Sequence, residues 1–250
     1  MSTDAHNPFS HSPMAQFEIN RIVPMNIGGL DVSFTNSSLM MVITLGLITL
    51  FLMMSTRRGA LVPGRWQSLA EISYEFVASM MRDTVGDSGR KFFPFVFTLF
   101  MFILFLNMLG MVPYSFTVTS HIIVTFGLAA LVFIGVTVLG FIKHGFGYLK
   151  LFVPHGVPAA LLPLIVVIEV ISYLSRPISL SVRLFANMMA GHTMLKVFGG
   201  FIVMLGFIGG WLPLAFSVAF VGLEVLVAFL QAYVFAVLTC IYLNDALHLH

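Results

Sequence analysis

Charged residues and cysteine are both scarce in this sequence. Only 9% of its 250 residues are charged and 59% are hydrophobic, whereas a typical globular domain is about 25% charged. So little polar surface cannot cover a water-soluble globule, and we therefore expect an integral membrane protein. The formal net charge of +2 is too small for the field that attracts nucleic acid. The single cysteine, Cys240, excludes an internal disulfide framework and a CxxC metal or redox site.

Motifs of soluble enzymes are absent as well. The sequence contains no GxxxxGKS/T phosphate loop, no GxGxxG motif after a strand, no GxSxG and no HExxH. We therefore expect no catalytic residues, no bound cofactor and no metal. Residues 1–20 lack a basic region followed by an apolar core, so they do not resemble a cleavable signal. The expectation for residues 1–35 is a polar N-terminal tail.

Long apolar stretches predict where the chain crosses a bilayer, because a spanning helix needs about 20 mostly apolar residues. Three of them have this length, 36–56, 92–112 and 121–142, and the second and third form a predicted helical hairpin. The last stretch, within 157–248, is too long for one crossing and can hold two long helices or three short ones. We favour a hairpin of two long, tilted helices. Its natural break points are Gly199-Gly200, Gly206, Gly209-Gly210 and Pro213.

Residues 65–84 predict a different kind of helix. Apolar side chains recur there at helical spacing while polar ones occupy the other faces. An amphipathic helix at the membrane interface fits this pattern better than a span. The sequence thus predicts a single membrane domain over 1–250: an all-α integral membrane protein with about five transmembrane helices and one amphipathic interfacial helix. The apolar face of that helix contains Trp66, Leu69, Ile72, Phe76 and Met80.

The distribution of basic residues predicts the orientation of the chain. The loop at 113–121 has no lysine or arginine. Lys196 lies near the predicted outer end of the last hairpin, so it weakens the difference in basic residues between the two sides of the membrane without reversing it. By the positive-inside rule the segment between the first two spans is cytoplasmic. With five spans, the N-terminus is then outside and the C-terminus inside. The basic residues of that segment are Arg57, Arg58, Arg65, Arg82, Arg90 and Lys91.

Ionisable residues interrupt the predicted last hairpin. An ionisable residue at the bilayer centre costs about 2.5–3.5 kcal/mol on insertion scales, so such residues generally face a protein interior or water and indicate an ion or proton path. Glu169, Arg176 and Arg183 are spaced by seven, near one face of a helix, and Asn187 shares the face of Arg183. His192 lies about 13 Å beyond Arg183 along the axis, and Glu169 lies about 21 Å away in the other direction.

The second helix of the hairpin contributes two further polar residues. In the predicted topology Glu224 meets His192 in the outer half, and Gln231, two turns deeper, faces Arg183. Two sets of titratable groups, one toward each side of the membrane, are then separated by the permanent positive charge of Arg183. An arginine cannot give up its proton, so it can divide two proton paths without relaying a proton itself.

Structural roles for the same residues remain open at this stage. Arg176 beside Pro177 is interpreted as structural, and any single polar residue in a helix bundle can serve as an interhelical hydrogen-bonding group. His121 is expected to be an interfacial cap, and Asn107 is expected to shape a turn together with Pro113. Two alternative functions also stay open: a self-contained secondary transporter or proton channel, and a membrane scaffold.

Four segments carry a resemblance to a known family. The residues SRPISLSVRLFANMMAGH, 175–192, closely resemble the signature helix of subunit a of F-type ATP synthases. LEVLVAFLQAYVF at 223–235 is similar to the family's final helix, and YLNDALH at 242–248 and NMLGMVPY at 107–114 fit it too. The resemblance covers about residues 35–250, and the arginine segment is highly specific.

The resemblance implies a role for each polar residue. The arginine matched by Arg183 is the family's essential one and faces the carboxylate of a rotating c-subunit ring. Asn187, His192, Glu224 and Gln231 are implied to line or adjoin the half-channel from the outer side. Glu169 is implied to belong to the half-channel toward the cytoplasm. Some bacterial relatives carry an acid at the position of His192 and a histidine at that of Glu224, so the pair survives with exchanged partners.

The resemblance also implies a function and partners. It implies a non-catalytic, proton-translocating stator subunit that provides two offset half-channels to the ring carboxylates. The implied partners are the c-subunit ring, b-type peripheral stalk subunits and the rest of the ATP synthase complex, together with membrane lipid and protons but no nucleic acid. A multi-pass protein of the bacterial cell inner membrane is expected, with the mitochondrial inner membrane as the alternative.

Overall fold

A computed structural model of the protein describes residues 19–24, 26–27, 30–31, 33–57, 63–112, 115–153 and 161–248. Residues 1–18 of the predicted tail (1–35), the turn at Pro113 and the first residues of the 157–248 segment lie outside these ranges. The described helices are α1 (Asn36–Thr56), α2 (Arg65–Val85), α3 (Phe93–Gly110), α4 (Ile122–His144), α5 (Leu162–Gly209) and α6 (Trp211–Leu247). Short 3₁₀ segments at Gly86–Phe92, Val118–Ser120 and Gly145–Phe152 connect them.

The described residues contain five helical segments that are long and apolar enough to cross a membrane. They are α1, the continuous run of α2 and α3, α4 with the first residues after it, α5, and α6. Long apolar helices form here because a bilayer offers no water to unpaired backbone groups, so each segment must satisfy its own hydrogen bonds. The predicted all-α integral membrane fold is confirmed.

The chain before α1 contains short strands that the sequence analysis did not predict. Strand β1 (Arg21–Val23) pairs antiparallel with β4 (Phe34–Thr35), and β2 (Asn26–Ile27) pairs with β3 (Leu30–Asp31). Thr35 ends this region and caps α1, because its Oγ1 accepts a hydrogen bond of 3.4 Å from the backbone N–H of Ser38.

Helix α2 presents its apolar residues differently along its length. Trp66, Leu69 and Ile72 in its first half are exposed, whereas Val77 and Met80 in its second half are buried against the bundle. A helix with exposed apolar residues at one end and a buried face at the other suits the boundary between lipid and protein. Gly86 ends it with a φ of 72°, a conformation that glycine adopts without strain.

The core of the bundle lies where α3 meets α6. Val96, Phe100 and Ile103 of α3 are fully buried, and Phe100 contacts Phe229 of α6 with ring centroids 6.1 Å apart. The buried face of α6 also contains small residues at every fourth position, which let neighbouring helices approach closely. These residues are Ala228, Ala232 and Ala236.

Two long helices occupy the last apolar stretch, and they pack against each other as a hairpin. Among the predicted break points, Gly206 has the non-helical conformation, with φ 60° and ψ −158°. The Gly199-Gly200 pair and Pro213 lie within helices. Pro177 lies inside α5, which continues through it.

Candidate functional site

The closest pair of ionisable side chains at the hairpin joins α5 to α6. Nδ1 of His192 lies 2.9 Å from Oε1 of Glu224, and the two side chains are 11% and 5% exposed. The contact is short but not an aligned hydrogen bond, since both carboxylate oxygens of Glu224 and Nε2 of His192 are buried without a hydrogen-bond partner among the described residues. Buried polar groups are normally satisfied by protein or by ordered water. These atoms of the pair are therefore available to ordered water.

A glycine beside the histidine makes room for the carboxylate. An added Cβ on Gly191 would lie 2.8 Å from Oε1 of Glu224 and 3.0 Å from its Cδ. A side chain at position 191 would displace the carboxylate from its position beside His192. The sequence analysis did not assign a role to Gly191, and its place directly before His192 in the signature segment was the available signal.

Further buried polar atoms that have no hydrogen-bond partner in the described part of the chain lie on neighbouring segments. Asn107 of α3 donates a hydrogen bond of 3.2 Å from Nδ2 to the carbonyl oxygen of Ala228, one turn after Glu224, while its Oδ1 has no described partner. Oγ1 of Thr119 and Nε2 of His121 are unpartnered in the same way. The 3₁₀ segment that contains Thr119 packs against α3 and α5. Together these atoms are suited to hold water at one end of the bundle.

Two expectations for these residues are corrected. Asn107 does not shape a turn: it lies in α3, is fully buried and braces α3 against α6. His121 occupies the position before α4 but makes no side-chain capping hydrogen bond. Its ring stacks on Phe116 with centroids 4.9 Å apart, and burial lowers its pKa from 6.5.

Arg183 lies between the two ends of α5 and is exposed on its surface. Among the described residues it makes no hydrogen bond and no ion pair. Asn187, one turn further along α5, is half-buried, and Gln231 of α6 is buried. The described residues show no hydrogen bond between Arg183 and either amide. The guanidinium group is therefore available to a group outside the described part of this chain.

Arg176 has partners within the chain. Its Nη1 lies 3.0 Å from Oδ2 of Asp245 on α6, and its guanidinium carbon lies 5.5 Å and 5.1 Å from the ring centroids of Tyr173 and Tyr242. Both are cation–π distances. The structural interpretation of Arg176 agrees with these contacts. Asp245 had no assigned role in the sequence analysis, because only the folded hairpin brings it to Arg176.

Glu169 lies near the start of α5, at the end opposite His192. It is half-buried and one turn before Tyr173, whose hydroxyl lies 2.6 Å from Oγ1 of Thr137 and 3.1 Å from the hydroxyl of Tyr148. The helical rise separates Glu169 from His192 by about 35 Å, with Arg183 between them. Arg183 is thus exposed on α5 between Glu169 and the pair that His192 forms with Glu224 of α6.

Known proteins resemble this chain over nearly its whole length. The family model described as ATP synthase A chain matches residues 38–244. ATP synthase subunit a of Pelagibacter ubique (strain HTCC1062) is 66% identical over 240 residues, which cover 96% of this chain and 98% of that protein. The protein of the same name from Chelativorans sp. (strain BNC1) is 65% identical over 242 residues, 94% of this chain and 97% of the relative. That of Sinorhizobium fredii (strain NBRC 101917 / NGR234) is 64% identical over 245 residues, 96% and 98% of the two chains. On this evidence, the resemblance found in the sequence is confirmed, and the chain belongs to the ATP synthase A chain family.

Proposed function

We propose that this protein is the proton-translocating stator subunit in the membrane sector of a rotary ATP synthase. It provides two offset half-channels through which the carboxylates of a c-subunit ring gain and lose protons. The observation that carries this proposal is the arrangement along α5: the exposed Arg183 lies between Glu169 on one side and the buried pair of His192 with Glu224 of α6 on the other. A helix that only packs in a bundle has no need of these groups in an apolar span.

The outer half-channel leads protons past His192 and Glu224. An imidazole and a carboxylate 2.9 Å apart can exchange a proton with each other and with water, since each group both binds and releases protons. The unpartnered polar atoms of Asn107, Thr119 and His121 support a hydrated approach to the pair. Asn187 and Gln231 adjoin the inner end of this route, toward Arg183.

Arg183 separates the two half-channels. Its guanidinium group stays charged at any physiological pH, so it blocks a direct proton path. It has no anionic partner among the described residues and is exposed on α5. An acidic group on the adjoining ring fits this cation, and the pairing favours the ionised form of that acid.

The cycle follows from these positions. A ring carboxylate receives a proton from the outer half-channel, leaves Arg183 as a neutral group and enters lipid without the cost of an exposed charge. After nearly a full turn it reaches the half-channel of Glu169, releases the proton toward the cytoplasm and pairs with Arg183 again. At 100 mV each proton that crosses supplies about 2.3 kcal/mol. ATP is made elsewhere in the complex, so this subunit is non-catalytic.

The partners and the membrane follow from the same proposal. The exposed face around Arg183 binds the c-subunit ring, and b-type peripheral stalk subunits hold the protein still against rotation. Five apolar helical segments among the described residues support a multi-pass protein. The relatives named above are bacterial, which supports the bacterial inner membrane. The basic residues between the first two spans support an N-terminus outside.

The test is an Arg183→Ala variant in inverted membrane vesicles, with ATP-driven proton pumping and passive proton leak measured together. We expect pumping to be lost while the complex stays assembled. Lys196→Ala is the matched control, because Lys196 is another exposed cation on α5, and it should leave pumping unchanged. Normal pumping by Arg183→Ala without added leak would overturn the proposal.

A further inference from the structure

An apolar groove lies between α1, α2, α3 and α6. Its volume is about 830 Å³, toward the upper end of the range of about 300–1,000 Å³ found for ligand pockets. The buried Met101 of α3 lies at its floor, and Leu50, Trp66 and Leu226 form exposed parts of its walls. Of the side chains that line it, Ser73 is the polar exception. The lining therefore suits a hydrocarbon chain and offers almost no hydrogen-bonding groups to a polar ligand.

The groove is preformed by aromatic contacts within the chain. Phe51 of α1 packs against Trp66 of α2 with ring centroids 6.3 Å apart and against Phe105 of α3 at 5.8 Å. At one end, Oγ of Ser55 donates a hydrogen bond of 3.0 Å to the carbonyl oxygen of Trp66, which fixes the end of α1 beside the start of α2. A ligand does not have to order these walls, which favours its binding.

Positive charge is concentrated at that same end. Arg57 follows the lining residue Met54 by three positions, and Arg65 directly precedes the lining residue Trp66. Both arginines are exposed, and neither forms an ion pair among the described residues. None of the described residues that line the groove is acidic. Tryptophan and arginine at the end of an apolar cleft are the side chains expected at the level of lipid headgroups.

We propose that this groove binds an anionic phospholipid, with an acyl chain between α1 and α6 and the phosphate against Arg57 and Arg65. The site lies apart from the proton path proposed above and does not depend on it. Its lipid fills the space between the first helix and the part of α6 that follows Glu224, since Val225 and Leu226 line the groove. The lipid thereby supports α6 from the side that α5 does not cover.

The first experiment uses the unaltered complex. The purified ATP synthase is reconstituted into vesicles with a trace of phosphatidylglycerol that carries a photoreactive diazirine in one acyl chain, and labelled peptides are identified by mass spectrometry. Each arginine near a headgroup favours an anionic lipid by about fivefold, so two give a preference of about 25-fold over the matching phosphatidylcholine probe. Labelling is expected on the groove faces of α1, α3 and α6. Equal labelling by both probes would overturn the proposal.

Two variant pairs test the two halves of the site. Leu50→Trp fills the groove and should abolish its labelling, whereas Leu45→Trp, at a similarly exposed leucine of α1 outside the groove, should not. Arg57→Gln should lower the preference for phosphatidylglycerol about fivefold, whereas Arg90→Gln, at an exposed arginine that lines a different pocket, should not. Unchanged labelling in Leu50→Trp, or cross-linking of the groove to another subunit instead of lipid, would refute the site.

Discussion

Nδ1 of His192 and Oε1 of Glu224 lie 2.9 Å apart across the interface of α5 and α6, and the carboxylate forms no aligned hydrogen bond with the described residues. Buried polar groups that lack full compensation are costly, so such a pair is sensitive to the loss of either partner. The position of the carboxylate also depends on what lies directly beside it on α5, because no described hydrogen bond holds it in place. These two properties lead to the first two predictions.

Glu224→Gln is expected to slow proton entry, because an amide in place of the carboxylate beside His192 cannot accept a proton and pass it on. The measurement is proton flux through the assembled complex. Glu75→Gln, at an exposed position of α2, is the control. A Glu224→Gln variant with the rate of the unaltered protein would show that the pair lies off the proton path.

Gly191→Ala is expected to displace the carboxylate of Glu224, because the new Cβ would lie 2.8 Å from its Oε1. The carboxylate ends a flexible side chain and can move without separating α5 from α6, so proton flux should fall while thermal stability changes little. Gly199→Ala is the matched control on the same helix, since its added Cβ meets nothing within 4 Å. Thermal stability and proton flux are measured in both variants. Equal behaviour of the two variants would contradict the assigned role of Gly191.

Arg176 and Asp245 should show energetic coupling. Their ion pair of 3.0 Å is partly buried and is reinforced by Tyr173 and Tyr242, so a double-mutant cycle with Arg176→Gln and Asp245→Asn should give a coupling of about 0.5–3 kcal/mol. The readout is the thermal midpoint for release of the subunit from the purified complex. Additive effects of the two single changes would mean that the contact adds nothing to stability.

His121 makes stability depend on pH. Burial lowers its pKa in the folded protein below the ordinary 6.5, so the folded state prefers the neutral ring. Its contribution is complete above pH 6.5 and declines as the pH falls below that value, because the unfolded chain binds the proton more readily. His121→Phe, which retains a ring to stack on Phe116, should reduce this loss in thermal melts at decreasing pH. His248→Gln, at an exposed histidine, should keep it, and an unchanged pH slope in His121→Phe would contradict the prediction.

The length of the apolar runs was sufficient to predict the spanning helices, and a cation within one of these runs singled out Arg183. An apolar run of spanning length and a cation within it are both local features of the sequence. The break at Gly206 was harder to predict, because several glycines offered the same flexibility and the packing of α5 on α6 selects among them. The strand pairs before α1 were missed because strands of two or three residues are too short to show a period.

Residues that act across an interface could not be identified from the sequence. Gly191 matters because Glu224 approaches it, and Asn107 matters because Ala228 presents a carbonyl group to it. Asp245 meets Arg176 from 69 positions away. Each of these contacts depends on the register between two helices, which no single segment encodes.

The alanines on the buried face of α6 have a mechanical consequence. Helices that approach each other over small side chains have little compressible material between their backbones. The hydrogen bond from Asn107 of α3 to the carbonyl oxygen of Ala228 also opposes sliding of α6 along α3. A sideways load on α6 is then passed to α3 instead of bending α6 alone. In the proposed function, a ring that turns against this surface would deform the subunit little, so little of the work of each step would be lost as elastic deformation.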